Sequence, residues 1–82
     1  MRRSLNGILV EWYNSIMQLT LNGERKEFPS PINLQQLLDR LGVSTGRVAC
    51  EVNLKIIKRA RYPETALQDG DTVEIIQAIG GG

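Results

Sequence analysis

With 82 residues the chain suffices for one domain and excludes two independently stable cores or a large enclosed active site. Ten Lys and Arg against nine Asp and Glu leave a formal net charge of +1, which excludes a strong electrostatic pull toward nucleic acid or a membrane surface. The single cysteine, Cys50, excludes an intramolecular disulfide, and without histidine the familiar zinc constellations are excluded too; a reducing, cytoplasmic compartment fits this composition.

Residues 1–16 begin with Arg2 and Arg3 and contain Ile8, Leu9 and Val10, but Asn6, Gly7 and Glu11 interrupt the apolar run. It falls far short of a secretory hydrophobic region or the roughly 20 apolar residues of a membrane span. No regular period runs through these residues. They are expected to be a dispensable extension, either the product of an upstream start codon or a disordered segment; the alternative is an extra strand or helix built on Trp12 and Tyr13.

From Met17 the pattern becomes regular. Met17, Leu19 and Leu21 alternate with Gln18 and Thr20, the period-two pattern of a half-buried strand. Asn22-Gly23 is the preferred pair for a two-residue hairpin turn with positive φ at both central positions, so residues 24–28 are expected to return as an antiparallel strand. Glu24, Arg25, Lys26 and Glu27 suit a protected sheet edge, and Pro29 and Pro31 are expected to stop the strand.

Residues 32–42 read as a helix marked at both ends. Asn33 is a good N-cap, Gln36 completes a capping box, and Ile32 can staple onto Leu37. Leu34, Leu37, Leu38 and Leu41 form one apolar stripe, and Gly42 is placed for a left-handed exit. A third strand is expected over residues 47–53, with Val48, Cys50 and Val52 on the face opposite Ala49 and Glu51. That position makes Cys50 a small core residue rather than a reactive thiol, which would need an exposed electropositive pocket.

Residues 56–59 are expected to form a short strand and Tyr62-Pro63 to start an irregular crossing. Asp69-Gly70-Asp71 then turns into a last strand over residues 72–77, with Val73 and Ile75 inward. The order predicts an α+β domain in which one main helix packs on one face of a mixed sheet of four to five strands. Lys55, Lys58, Arg59 and Arg61 cluster, but their interleaving with Ile56, Ile57 and Ala60 suits a solvated strand face better than an RNA-binding strip. Only Tyr62 could supply a stacking aromatic there.

The last strand runs through Ala78 and Ile79 into Gly80, Gly81 and Gly82. Three glycines have maximal backbone freedom and no side chains, so they form a thin arm that a narrow channel can admit. A terminal carboxylate, whose ordinary pKa is about 3.3 to 3.7, is ionised at neutral pH and must be activated before a nucleophile can attack it. On the tail alone, a frayed terminus or cloning remnant is an equal reading.

The wider pattern resembles the ThiS family of thiamine-biosynthesis sulfur carriers, over residues 17–82. The resemblance rests on several motifs taken together. They are Met17-Gln18-Leu19-Thr20-Leu21-Asn22-Gly23, the Leu37-Leu38 helix, the strand from Val48, Arg59, Leu67-Gln68-Asp69-Gly70-Asp71-Thr72-Val73-Glu74-Ile75 and the glycine tail. Two features depart from the family: Asn53 is followed by Leu54 where Val-Asn-Gly is common, and residues 1–16 have no counterpart.

The resemblance implies a ubiquitin-like β-grasp domain over residues 17–79 with a flexible glycine tail over residues 80–82. It implies no catalytic site and no metal, and no bound cofactor; ATP is used by a ThiF-like, E1-like adenylating enzyme that activates Gly82. A cysteine desulfurase relay then delivers sulfur to form a thiocarboxylate, which a ThiG-like thiazole synthase consumes. Ile76, Ala78 and Ile79 are the expected partner contacts, beside the arm of Gly80 and Gly81. The alternatives are a molybdopterin-synthase small-subunit-like carrier, a ubiquitin-like protein modifier, and a noncovalent protein-binding module with an inert tail.

Overall fold

The computed structural model describes residues 15–77. β1 (Ser15–Leu21) pairs antiparallel with β2 (Glu24–Ser30), α1 (Leu34–Leu41) follows, and β3 (Val48–Val52) pairs antiparallel with β4 (Lys55–Ile57). β5 (Thr72–Gln77) runs between the two hairpins, parallel to β1 and antiparallel to β3. The spatial order is β2-β1-β5-β3-β4, a mixed five-stranded sheet with one main helix on one face.

The alternation in β1 works as expected: Met17, Leu19 and Leu21 are buried, while Gln18 and Thr20 between them are only partly covered. The strand starts at Ser15, two residues before the regular pattern. β2 also runs further than expected. It continues through Pro29, which lies opposite Ile16, to Ser30. Proline removes one donor, but β2 is an edge strand, so that donor's absence costs the sheet no bond if it faces solvent.

Helix α1 is shorter than residues 32–42 and begins after Asn33. Its box is complete: Asn33 Oδ1 accepts from the Gln36 amide at 2.8 Å, and Gln36 Oε1 accepts from the Asn33 amide at 2.9 Å. Gly42 leaves in the left-handed region at φ 73°, with its N–H donating to Asp39 and that of Val43 to Leu38. Leu34, Leu37 and Leu38 are fully buried. Each such leucine contributes about 1.5 to 3 kcal/mol of burial, which is what holds this short helix on the sheet. Leu41, at the end of the stripe, is 38% exposed.

Where a strand over residues 47–53 was expected, a 3-10 turn occupies Thr45–Arg47 and β3 covers Val48–Val52. The short strand expected at residues 56–59 lies at Lys55–Ile57. The irregular crossing is an ordered 3-10 stretch, Arg59–Glu64, packed beside the N-terminal end of α1. It buries Tyr62 completely, so the one aromatic considered for base stacking is a core residue. The Thr65 carbonyl accepts from Leu34 N–H, and Leu67 N–H donates to the Ile32 carbonyl, tying this segment to the helix entry.

Strand β5 is held by more than its ladders. Asn22 and Gly23 take φ 49° and 86°, closing the first hairpin as predicted. The Asn22 side chain then reaches sideways to Ile75, accepting from its N–H at 2.7 Å and donating to its carbonyl at 3.4 Å. The second hairpin repeats the device. Asn53 donates its backbone N–H to the Thr72 carbonyl at 2.7 Å, and its Oδ1 accepts from Thr72 N–H at 2.9 Å. Before β5, the Asp69-Gly70-Asp71 turn docks on β1: Gln18 N–H donates to Asp69 Oδ1 and Gly70 N–H to the Gln18 carbonyl, each at 2.7 Å.

Candidate functional site

In sequence, the candidate tail follows Gln77, the last residue of the central strand β5. Of the six residues singled out from sequence, Ala78, Ile79, Gly80, Gly81 and Gly82 lie outside the described residues; Ile76 lies within them. Ile76 is on β5 opposite Ala49 of β3 and is 54% exposed, on the sheet face that α1 does not cover. An exposed isoleucine in a central strand is held there by alternation: its neighbours Ile75 and Val73 face the helix.

Sequence reasoning missed two companions of Ile76. Ala49 is exposed beside it, and Ile56 on β4, 75% exposed, shares the same face across Glu51. Glu51 lies directly opposite Glu74. The uncovered face at the end of β5 thus carries Ile76, Ala49 and Ile56 beside the cross-strand residue pair Glu51–Glu74. Period-two counting along β3 and β4 would have found it, because Ala49, Glu51 and Ile56 are all of outward parity in their strands.

The opposite face of β5 carries a second feature. Leu21, Asn22, Leu41, Val43, Ile75 and Gln77 line an open cavity of about 520 Å³ between the end of α1 and the last residue of β5. Among the described residues no charged side chain lines it.

Cys50 is fully buried, as its inward parity implied. Burial pushes its thiol pKa up, with a partly offsetting hydrogen bond from Tyr62. Burial is also the main cause that raises the Tyr62 phenol to about 12, with the Cys50 contact adding to it. Neither group is a nucleophile at neutral pH. Among the described residues no cluster of three or more acidic, cysteine or histidine side chains could hold a metal ion, and no helix is long and apolar enough to cross a membrane. The basic cluster is spread over β4 and the 3-10 stretch, where Arg61 is paired with Glu64 at 2.6 Å.

A model of the ThiS family matches residues 5–82. The chain belongs to the ThiS family. The crystal structure of the thiamine biosynthesis protein ThiS from Geobacter metallireducens has the same fold, with a TM-score of 0.71 and 33% identity. It is covered in full, against 80% of this chain. The sulfur carrier protein ThiS of Escherichia coli K12 is 27% identical over 66 residues, covering 80% of this chain and 100% of that one. A thiazole synthase of Paramagnetospirillum magneticum is 42% identical over 66 residues, 80% of this chain but only 20% of the synthase. The chain therefore spans about a fifth of that relative's length. The fold is the β-grasp of ThiS.

Proposed function

We propose that this ThiS-family chain is a sulfur carrier for the thiazole moiety of thiamine, with the sulfur held as a thiocarboxylate on Gly82. One observation carries the reading: the central strand of the sheet leads, in sequence, into Gly80-Gly81-Gly82. Residues 78–82 span at most about 18 Å when extended, enough to enter a channel while the folded body stays outside.

The chemistry follows from the carboxylate. Its oxygen attacks the α-phosphorus of ATP on a ThiF-like adenylating enzyme, releasing pyrophosphate and leaving an acyl-adenylate. A persulfide delivered by a cysteine desulfurase relay attacks the acyl carbon and displaces AMP. A second thiol then attacks the relay sulfur of the resulting acyl disulfide, forming a disulfide with it and freeing the thiocarboxylate. The domain supplies recognition, and Ile76 with Ala49 and Ile56 offers the apolar contact that an exposed patch beside a reactive tail provides. The likeness to a thiazole synthase supports the thiazole branch over a molybdopterin carrier or a protein modifier.

The test is intact mass. With ATP, the activating enzyme and a sulfur source, one oxygen is expected to be replaced by sulfur. Deleting Gly82, or adding a residue after it, leaves the fold unchanged and stops the modification. An unchanged mass with active cognate enzymes, or modification that persists without Gly82, sinks the carrier reading and favours a noncovalent module.

A further inference from the structure

The cavity on the helix side of β5 has walls fixed before any partner arrives. Ile75 is pinned through both its backbone groups by the Asn22 amide, and Val43 is held by the helix exit through its bond to the Leu38 carbonyl. Leu41 is left 38% exposed, although α1 buries its other three leucines completely. The result is a preformed apolar recess whose volume, about 520 Å³, falls within the range of about 300 to 1,000 Å³ usual for ligand pockets. It is too open to enclose a small molecule, since it lies between a helix end and a strand end.

Its position gives it a use. Gln77, on its rim, is the last described residue before the tail. An enzyme that takes residues 78–82 into a water-excluding channel has at most about 18 Å of chain to work with, so the channel's rim must close around the end of β5. A rim there would face Ile76 on one side and this recess on the other, because Ile75 and Gln77 alternate with Ile76. A charged side chain placed there would be buried without a partner, so the group that fits is apolar and uncharged.

We infer that the Leu41–Val43–Ile75 recess seats an apolar side chain from the rim of the sulfur-accepting synthase, so that this enzyme grips the root of the tail from the face opposite Ile76. The inference rests on the carrier reading. The acceptor is the favoured partner because a relative joins a domain like this one to a thiazole synthase in one chain, which keeps the two surfaces together at high effective concentration.

The experiment separates the two ideas. Wild type, Leu41→Gln, Leu41→Met and Gln77→Arg are each converted to the thiocarboxylate by the activating system, checked by mass, and then titrated as sulfur donors to the synthase. Leu41→Gln and Gln77→Arg are expected to raise KM about tenfold with kcat unchanged, because the recess contributes binding away from the reacting atom. Leu41→Met keeps an apolar side chain on the recess and is expected to raise KM less than Leu41→Gln does. Gln77 is exposed, so its variant keeps the test alive if Leu41→Gln folds poorly. If wild type forms no thiocarboxylate, the carrier reading fails. If it forms and the Gln77→Arg carrier donates with an unchanged KM, or if adenylation is weakened as much as transfer, the recess does not serve the acceptor.

Discussion

The two hairpins of the sheet are closed by the same backbone turn and by different residues. Asn22-Gly23 and Asn53-Leu54 both hold positive φ at two successive positions, and both asparagines extend a hand to β5. In the first hairpin the second position is glycine, which adopts that conformation freely. In the second it is Leu54 at φ 69°, 80% exposed and without any core contact to compensate it. A bulky residue there is strained by about 1 to 2 kcal/mol. In both turns the asparagine that bonds to β5 holds the first positive φ, while the second position is taken by residues as different as glycine and leucine.

The largest way to drive the hairpins apart is pH. Strand β3 of the second hairpin carries Cys50, which is buried against Tyr62, and both groups titrate at high pH. The Tyr62 phenol lies at about 12 in the fold against an ordinary 10.0. Its neutral form is the one the fold prefers, so the associated stability is intact below about pH 10 and is lost as pH rises through about 12. Cys50, raised from 9.0, acts in the same direction. The unfolding free energy from denaturant titration is expected to fall over this window by an amount on the order of 2 to 3 kcal/mol, with Tyr62→Phe flattening most of the fall. A profile unchanged by Tyr62→Phe would remove this asymmetry.

Removing each hand comes next. Asn22→Ala and Asn53→Ala each lose two side-chain hydrogen bonds and the residue best suited to positive φ, and each is expected to cost about 1 to 2 kcal/mol in chemical denaturation. If one substitution is silent, the hairpins are not held by the same device. The smallest effects come from exchanging the second turn residues. Gly23→Leu is expected to cost about 1 kcal/mol through backbone strain alone, because nothing lies within 4 Å of a Cβ there. Leu54→Gly gains less, about 0.5 kcal/mol, since relief of strain is partly offset by the greater freedom of glycine in the unfolded chain. A loss of stability in Leu54→Gly would show that Leu54 packs on something.

These contrasts also mark what a sequence can and cannot disclose. Asn22-Gly23, the Asn33–Gln36 box and Gly42 are legible because each is a local arrangement whose partners lie within four residues. Tyr62 and Leu67 are not, since they enter the core from a segment without hydrophobic period. Pro29 reads as a stop even though the charged run before it reads as an edge strand, because the pairing of Pro29 with Ile16 is set by a segment outside the regular pattern. At the candidate site, parity suffices for the inward Cys50 and Ile75. The recess stays hidden because Leu41, Val43 and Ile75 come from the helix, its exit and a distant strand.

The position of β5 has a mechanical meaning. It is bonded along both edges, antiparallel to β3 through five residue pairs and parallel to β1, with the Asn22 and Asn53 amides added. A pull on the tail acts along the axis of this strand, so the load falls on many hydrogen bonds in shear at once rather than peeling them one by one. Strands β2 and β4, each bonded on a single side, lie outside that line of force. A body built this way resists being unravelled from the end of β5.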